Sequence, residues 1–144
     1  MKTHFIRITS LALCLLFAIS LCACNKGGDK DLKLSDLEAL ENMTPSEVES
    51  RFGKPVKEYE NGVWGYGDDF TFYGIKLNRF EYNPSDHSVN IRINDIIDKD
   101  APEQAYAKIK EFCTFDHSFG GMDNYTYNNL KIAVSGVHFY FKFS

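Results

Sequence analysis

Apart from one helical stretch, the chain from Lys57 onwards consists of short extended segments separated by turn signals, and this pattern constrains the fold more than any other feature. The turn signals are Asn61-Gly62, Asn83-Pro84-Ser85-Asp86, Asn128-Asn129 and Ser135-Gly136, and the segments between them are rich in aromatic and β-branched residues. Turns this short join antiparallel neighbours, because a parallel connection needs a dozen residues or more. The sequence therefore predicts an antiparallel β meander.

The alternation of apolar and polar residues predicts which side of these strands is buried. In the segment Val137–Phe143 the odd positions are apolar, while the even positions are His138, Tyr140 and Lys142. The segment Val89–Ile93 alternates in the same way. Because successive side chains of a strand point to opposite faces, one face is expected to form the core and the other to meet solvent.

Helix signals come before the strands. The clearest marks Pro45–Phe52, where Thr44 is a good N-cap, Glu47 completes a capping box and Gly53 ends the helix. A shorter helix is expected just before it, starting with the Ser35 to Glu38 capping pattern.

A third helix is expected over Pro102–Phe112, with Ala105, Ile109 and Phe112 as its inward stripe. The predicted fold class is therefore α+β, with short N-terminal helices packed on an antiparallel meander. A helix followed by strands occurs twice, and Pro45 and Pro102 begin the two blocks. Two weakly similar halves could reflect a duplication, or only the general likeness of amphipathic elements.

Residues 1–23 have the pattern of a lipoprotein signal peptide. Lys2 and Arg7 give a basic start, and the apolar run Ile8–Leu21 is shorter than the roughly 18 to 20 residues that span a membrane. The run ends in Leu21-Cys22-Ala23-Cys24, which resembles the lipobox of bacterial lipoproteins. The resemblance implies cleavage before Cys24, lipidation of its thiol with acyl chains such as palmitate, and a membrane anchor.

The mature chain then divides into two parts. Residues 24–34 are expected to be a flexible tether, and residues 35–144 a single α+β domain. The mature chain has 14 basic and 20 acidic side chains, a net charge of −6. That charge argues against a nucleic-acid partner and against docking of the domain onto anionic headgroups. Cys113 is the one cysteine left after processing and lipidation, so no intramolecular disulfide is available.

One stretch carries a resemblance to known families. Met43-Thr44-Pro45-Ser46-Glu47-Val48, followed by Phe52-Gly53-Lys54-Pro55, resembles the opening of small bacterial lipoproteins of the SmpA/OmlA (BamE) type. It is similar, more broadly, to domains like the beta-lactamase inhibitor protein, and the likeness extends to about Ile97. The resemblance implies a short helical pair, an antiparallel meander and a non-catalytic role in binding another envelope protein, as scaffold, assembly factor or inhibitor. It carries over no binding-site residue.

The sequence contains no recognisable catalytic or metal-binding motif, which favours a protein that is not an enzyme and needs no metal or other cofactor. No G-x-S-x-G motif or phosphate-binding loop occurs. Cys113 and His117 are spaced to share a helical face with Asp116 nearby, but a cysteine in this setting is more often a small core residue. The acidic run from Asp95 to Glu103 lacks the spacing of a calcium loop and suits a solvated helix start.

Aromatic residues give the remaining functional signal. Trp64, Tyr66 and Tyr140 are the candidate binding surface, since exposed Trp and Tyr commonly anchor interfaces. The structural alternative is that tyrosines lie half-covered on a sheet. The favoured function is a lipid-anchored protein-binding module of the bacterial cell envelope, with its domain in the periplasm or outside the cell. The alternative is a lipoprotein that binds a glycan or peptide on an aromatic sheet face.

Overall fold

The computed structural model describes residues 30–144, which form three helices and a ten-stranded sheet. The helices are α1 (Leu34–Ala39), α2 (Pro45–Phe52) and α3 (Ala101–Phe112), and a 3-10 turn (Leu40–Asn42) follows α1. The strands are β1 (Asp31–Leu32), β2 (Lys57–Glu58), β3 (Trp64–Tyr66), β4 (Thr71–Phe72), β5 (Ile75–Tyr82), β6 (Val89–Ile93), β7 (Thr114–Phe119), β8 (Met122–Tyr127), β9 (Leu130–Ser135) and β10 (His138–Phe143). The predicted α+β class is confirmed.

The sheet is antiparallel except at one edge. Its main strand order is β1-β4-β5-β6-β10-β9-β8-β7, and the short β2–β3 hairpin pairs with the far end of β5. Only the β1–β4 pair is parallel among the pairs that the described residues form. Pairing of β6 with β10 joins the strands that follow α2 to those that follow α3. A duplication of these two halves stays a prediction.

The capping residues of α2 act as the sequence predicts. The backbone N–H of Glu47 donates to Thr44 Oγ1 at 3.4 Å, and the N–H of Thr44 donates to Glu47 Oε2 at 2.7 Å. The hydrogen bonds from Thr44 lower the pKa of the Glu47 carboxyl. The predicted capping box of Ser35 with Glu38 is wrong: α1 starts at Leu34 with Lys33 as its N-cap, because the Asp36 carboxylate accepts the N–H of Lys33 at 2.9 Å.

One expected turn has a different geometry. A two-residue turn at Asn61-Gly62 needs positive φ at both residues, but among these two only Gly62 has it, at 79°. The Gly62 N–H donates to Tyr59 O at 2.8 Å, and the Tyr59 N–H donates to Val63 O at 2.9 Å. The hairpin therefore closes through a wider loop, in which a turn is followed by a bulged glycine.

The core lies on one face of the sheet, beneath the three helices. α1, α2 and α3 bury their apolar stripes against the inward side chains of the strands. The helical contributors are Leu34, Leu37, Val48, Phe52, Ala105 and Ile109, and the strand contributors include Leu77, Phe80, Ile91, Ile132, Phe139 and Phe141. The alternating side chains of the same strands are exposed or half-buried. The sheet thus presents one face that is free of helices among residues 30–144.

The structure corrects three predictions about the chain's elements. The tether is shorter than residues 24–34, because Leu32 pairs with Phe72 in the sheet and is wholly buried; residues 24–29 and the signal peptide lie outside the described residues. Phe112 is not part of the inward stripe: it is 46% exposed and stacks on Tyr73 at the rim of the core. The strand β7 was not predicted from the sequence.

No helix within residues 30–144 has the length and apolar character to cross a membrane.

Candidate functional site

The structure separates the three aromatic residues of the candidate binding surface. Trp64 and Tyr66 are two apart on β3 and therefore share a side, and the register pairs them with the buried Tyr82 and Phe80 of β5. Both point to the core side of the sheet. Tyr140 points to the opposite side and is 42% exposed. The expectation that the three residues form one surface is wrong.

Tyr66 is a core residue. It is 6% exposed, and its ring stacks on Phe80 at a centroid distance of 4.8 Å. Its hydroxyl has no hydrogen-bond partner among the described residues. Burial, reinforced by the nearby Glu49 carboxylate, raises the pKa of Tyr66 well above its usual range. Trp64 is half-buried and packs edge-on against Tyr82 at 6.0 Å, so it belongs to the rim of the core.

We call the helix-free side of the sheet the outer face. Tyr140 lies in the middle of a row of outer-face residues that the strand register places side by side across β5, β6, β10, β9, β8 and β7. From one end to the other the row is Glu81, Asn90, Tyr140, Ala133, Asn124 and His117. Tyr140 is therefore flanked by polar or small side chains, and its ring is accessible from the solvent.

Basic side chains lie on both sides of this row. On one side the register places Arg79 opposite Arg92, and on the other it places Lys131 opposite Lys142. The row itself contributes a single acidic side chain, Glu81, which lies 3.7 Å from Arg79. Asp95 lies near Arg92, so both arginines are close to a carboxylate, and within residues 30–144 the basic groups of this part of the face without an ion pair are Lys131 and Lys142.

The two lysines are matched by acidic groups only at longer range, as Lys142 is by Asp86. Arg79 and Arg92 each have a carboxylate nearby, Arg92 through Asp95 at 3.9 Å. Within residues 30–144, neither Lys131 nor Lys142 forms an ion pair. Like charges directly opposite each other on neighbouring strands are destabilising. The sheet thus keeps an unfavourable pair of ammonium groups on its exposed side.

A depression lies between these lysines and Tyr140. It has a volume of about 330 Å³, and its lining includes Lys131, Ala133, Tyr140 and Lys142. The small side chain of Ala133 leaves room between the larger residues. A second depression, of about 270 Å³, lies on the other side of Tyr140 beside Asn90. Tyr140 is therefore the ridge between two hollows of the outer face.

The depression has hydrogen-bond donors but no activated nucleophile. The ammonium groups of the two lysines and the hydroxyl of Thr126 can donate to an anion. At the rim, His117 Nδ1 lies 3.0 Å from the carboxylate of its neighbour Asp116, and both side chains are largely exposed. This arrangement suits the binding of an acidic group better than covalent catalysis.

The structure excludes a helical face shared by Cys113 and His117, and Cys113 packs against the core, as the favoured interpretation of a small core residue expects. α3 ends at Phe112 and His117 lies in the strand β7, so the two residues do not share a helical face. Burial raises the pKa of the Cys113 thiol to about 11, which disfavours the reactive thiolate.

The acidic run before α3 hydrogen-bonds locally. The Asp98 carboxylate accepts the N–H of Asp100 at 2.9 Å and the side-chain amide of Gln104 at 3.3 Å. These contacts hold the start of α3. Among residues 30–144, no three His, Cys, Asp or Glu side chains are grouped to hold a metal ion.

Two features of the outer face were missed by sequence reasoning. Lys131 and Arg92 were not considered, although the turn after Ser135 could have indicated that Lys131 faces Lys142. The second is β7, which is exposed along its whole length. Its Phe119, 75% exposed, lies on the outer face, whereas Phe115, 53% exposed, pairs with Tyr125 and lies on the core side. Its mixed polar and aromatic composition gave no clear strand signal.

Comparison of the chain with protein-family models, with curated proteins and with solved structures finds no match.

Proposed function

We propose that the chain is a lipid-anchored, non-catalytic protein of the bacterial cell envelope, and that its domain binds another envelope protein through the outer face. The observation that carries this proposal is the accessible sheet face with Tyr140 at its centre and the unpaired Lys131 and Lys142 beside it. Tyr and Arg side chains are typical of the residues that dominate protein interfaces, and the outer face presents Tyr140 together with Arg79 and Arg92. The resemblance to the SmpA/OmlA (BamE) type supports a role as scaffold, assembly factor or inhibitor.

A protein partner suits the face better than a glycan. Glycan binding was expected to need several aromatic rings on one surface, with Trp64 and Tyr66 among them. Those two rings pack against the core, so Tyr140 is left with polar and charged neighbours. A protein surface can complement such a mixed polar and charged face.

The anchor is compatible with an accessible outer face. The lipobox resemblance assigns lipidation to Cys24, and the described chain enters the sheet at β1, on one edge. β10, which carries Tyr140, is the fourth strand beyond β1 in the sheet order. At a spacing of about 4.8 Å between strands, the two are roughly 19 Å apart. A domain held by its β1 edge can therefore present the region around Tyr140 to a partner.

The experiment that tests this proposal is capture from crosslinked native envelopes, with the full-length acylated chain as bait. Tyr140→Ala should lower the amount of captured partner by about tenfold, because truncated aromatic anchors commonly cost 1 to 3 kcal/mol of binding free energy. Phe112→Ala is the matched control, since Phe112 is similarly exposed but lies at the end of α3. Equal capture by the wild-type chain and the Tyr140→Ala variant would reject the outer face as the interface.

A further inference from the structure

We infer that the partner's contact surface is acidic, and that one of its carboxylate side chains enters the depression beside Tyr140, between Lys131 and Lys142. This inference rests on the proposed function and adds the chemistry of the partner. It is carried by the unpaired lysines, by the hollow that they border and by the second basic pair on the same face.

The fold places two ammonium groups close together on the outer face. Lys131 and Lys142 are directly opposite across the β9–β10 pair, and within residues 30–144 no carboxylate forms an ion pair with either. Two ammonium groups in this arrangement repel each other. An anion bound between them would neutralise the repulsion, so the free domain is electrostatically arranged to receive one.

The depression between the two lysines has the size and lining to take a carboxylate side chain. The depression of about 330 Å³ has room for the end of an Asp or Glu side chain, and Ala133 leaves its centre open. The two ammonium groups and the hydroxyl of Thr126 border the same space, so a carboxylate there would meet several donors at once. The ring of Tyr140 forms one wall and can pack against the apolar part of the entering side chain.

A second basic pair, Arg79 and Arg92, lies on the same face at a defined distance along the strands. Arg92 is opposite His138 on β10, and Lys142 is four residues further along that strand. At about 3.4 Å per residue, the two basic pairs are separated by roughly 14 Å along the strand direction. An extended partner segment with acidic residues about four positions apart would place one carboxylate at each pair.

Charge complementarity favours an acidic protein segment over an anionic membrane. The mature chain has a net charge of −6, so a large anionic surface would repel the molecule as a whole. The carboxylates of Asp86 and Asp116 line the two depressions. A flat bilayer would bring many phosphates against both carboxylates at once, whereas a single carboxylate side chain in the first depression would meet two ammonium groups and one carboxylate, that of Asp116.

The test is photo-crosslinking in intact cells, with the full-length acylated chain carrying a photoreactive residue in place of Thr114, an exposed residue that the register places next to Thr126 and that does not line the depression. We expect a crosslinked protein whose attached peptide, identified by mass spectrometry, contains Asp or Glu residues about four positions apart. Changing Lys131→Gln and Lys142→Gln together should lower the crosslink by about tenfold. The matched control changes two exposed lysines elsewhere, Lys54→Gln with Lys99→Gln, and should leave the crosslink unchanged. Thermal melts of the purified variants check that both pairs of changes preserve the fold.

Three results would overturn the inference. If Tyr140→Ala lowers the crosslink and the Lys131 and Lys142 changes do not, the partner is bound but its surface is not acidic, and the proposed function stands. If the purified acylated chain binds phosphatidylglycerol vesicles more tightly than neutral phosphatidylcholine vesicles, the Lys131 and Lys142 changes remove that difference, and no protein is crosslinked in cells, the anion is a lipid headgroup. If no crosslink forms at Thr114 and capture is unaffected by Tyr140→Ala, the proposed function fails together with the inference.

Discussion

The assignment of the two faces of β10 predicts that neighbouring residues respond very differently to truncation. Phe139 is wholly buried, and its ring lies 6.3 Å from that of Phe72. A buried aromatic side chain removes about 150 to 250 Å² from water, and at about 25 cal/mol per Å² this burial is worth roughly 4 to 6 kcal/mol. Measured Phe→Ala changes in cores cost about 3 to 5 kcal/mol. Phe139→Ala should therefore destabilise the domain by at least about 3 kcal/mol.

Tyr140→Ala is the matched comparison, because it removes a similar ring from the next position. Tyr140 points to solvent on the outer face, so its loss should change the free energy of unfolding by about 0.5 kcal/mol or less. Guanidinium unfolding of a soluble form that lacks residues 1–24 measures both values, since the described core lies wholly within residues 30–144. Similar losses for the two variants would refute the assignment of faces, and with it the outer face as a surface free for binding.

Four further outcomes are expected. Thr44→Ala should cost about 1 kcal/mol of stability by removing the helix cap, whereas Phe52→Ala should cost about 3 kcal/mol or more by opening the core, both measured by thermal melts. Tyr66→Phe should leave stability unchanged or raise it by about 1 kcal/mol, since it removes a buried hydroxyl without a partner; a clear loss in denaturant unfolding would show that the hydroxyl is bonded. Hydrogen bonds from Ser118 and Tyr106 lower the pKa of the Asp123 carboxyl in the folded domain. The ionised carboxylate therefore adds to the free energy of unfolding above the ordinary carboxyl pKa of about 4, and this stabilisation is lost as pH falls through the lowered pKa of the folded state. Melts at pH 7 and pH 2 should therefore differ less for Asp123→Asn than for the wild-type chain. Cys24→Ala should abolish acylation and leave unprocessed precursor, and a labelled fatty-acid analogue that still attached to this variant would contradict the lipobox prediction.

Local patterns were enough to predict most of the fold. Thr44 and Gly53 set the limits of α2 because capping depends on residues only a few positions apart. The alternation in β6 and β10 identified the buried face because one register hides every apolar side chain. These signals depend on sequence neighbours alone, so no knowledge of the rest of the molecule was needed.

The candidate site was harder to predict because it depends on pairing between distant strands. Nothing near Trp64 and Tyr66 in the sequence shows that β3 pairs with the buried end of β5, and that pairing turns both rings inward. Phe112 continues the apolar spacing of α3, yet the ring stacks on Tyr73, a residue of a distant turn. The outer face likewise becomes visible only when the register brings Lys131 opposite Lys142.

Photo-crosslinking from single positions on both sides of the domain tests the central claim most directly. A photoreactive residue would replace, one at a time, Asn90 and Thr114 on the outer face and Glu103 and Lys108 on α3, in the full-length acylated chain. The outer-face positions should crosslink one common envelope protein, and the α3 positions should not. The same protein crosslinked from α3 and not from Asn90 or Thr114 would show that the helical side is the interface, which would contradict the account.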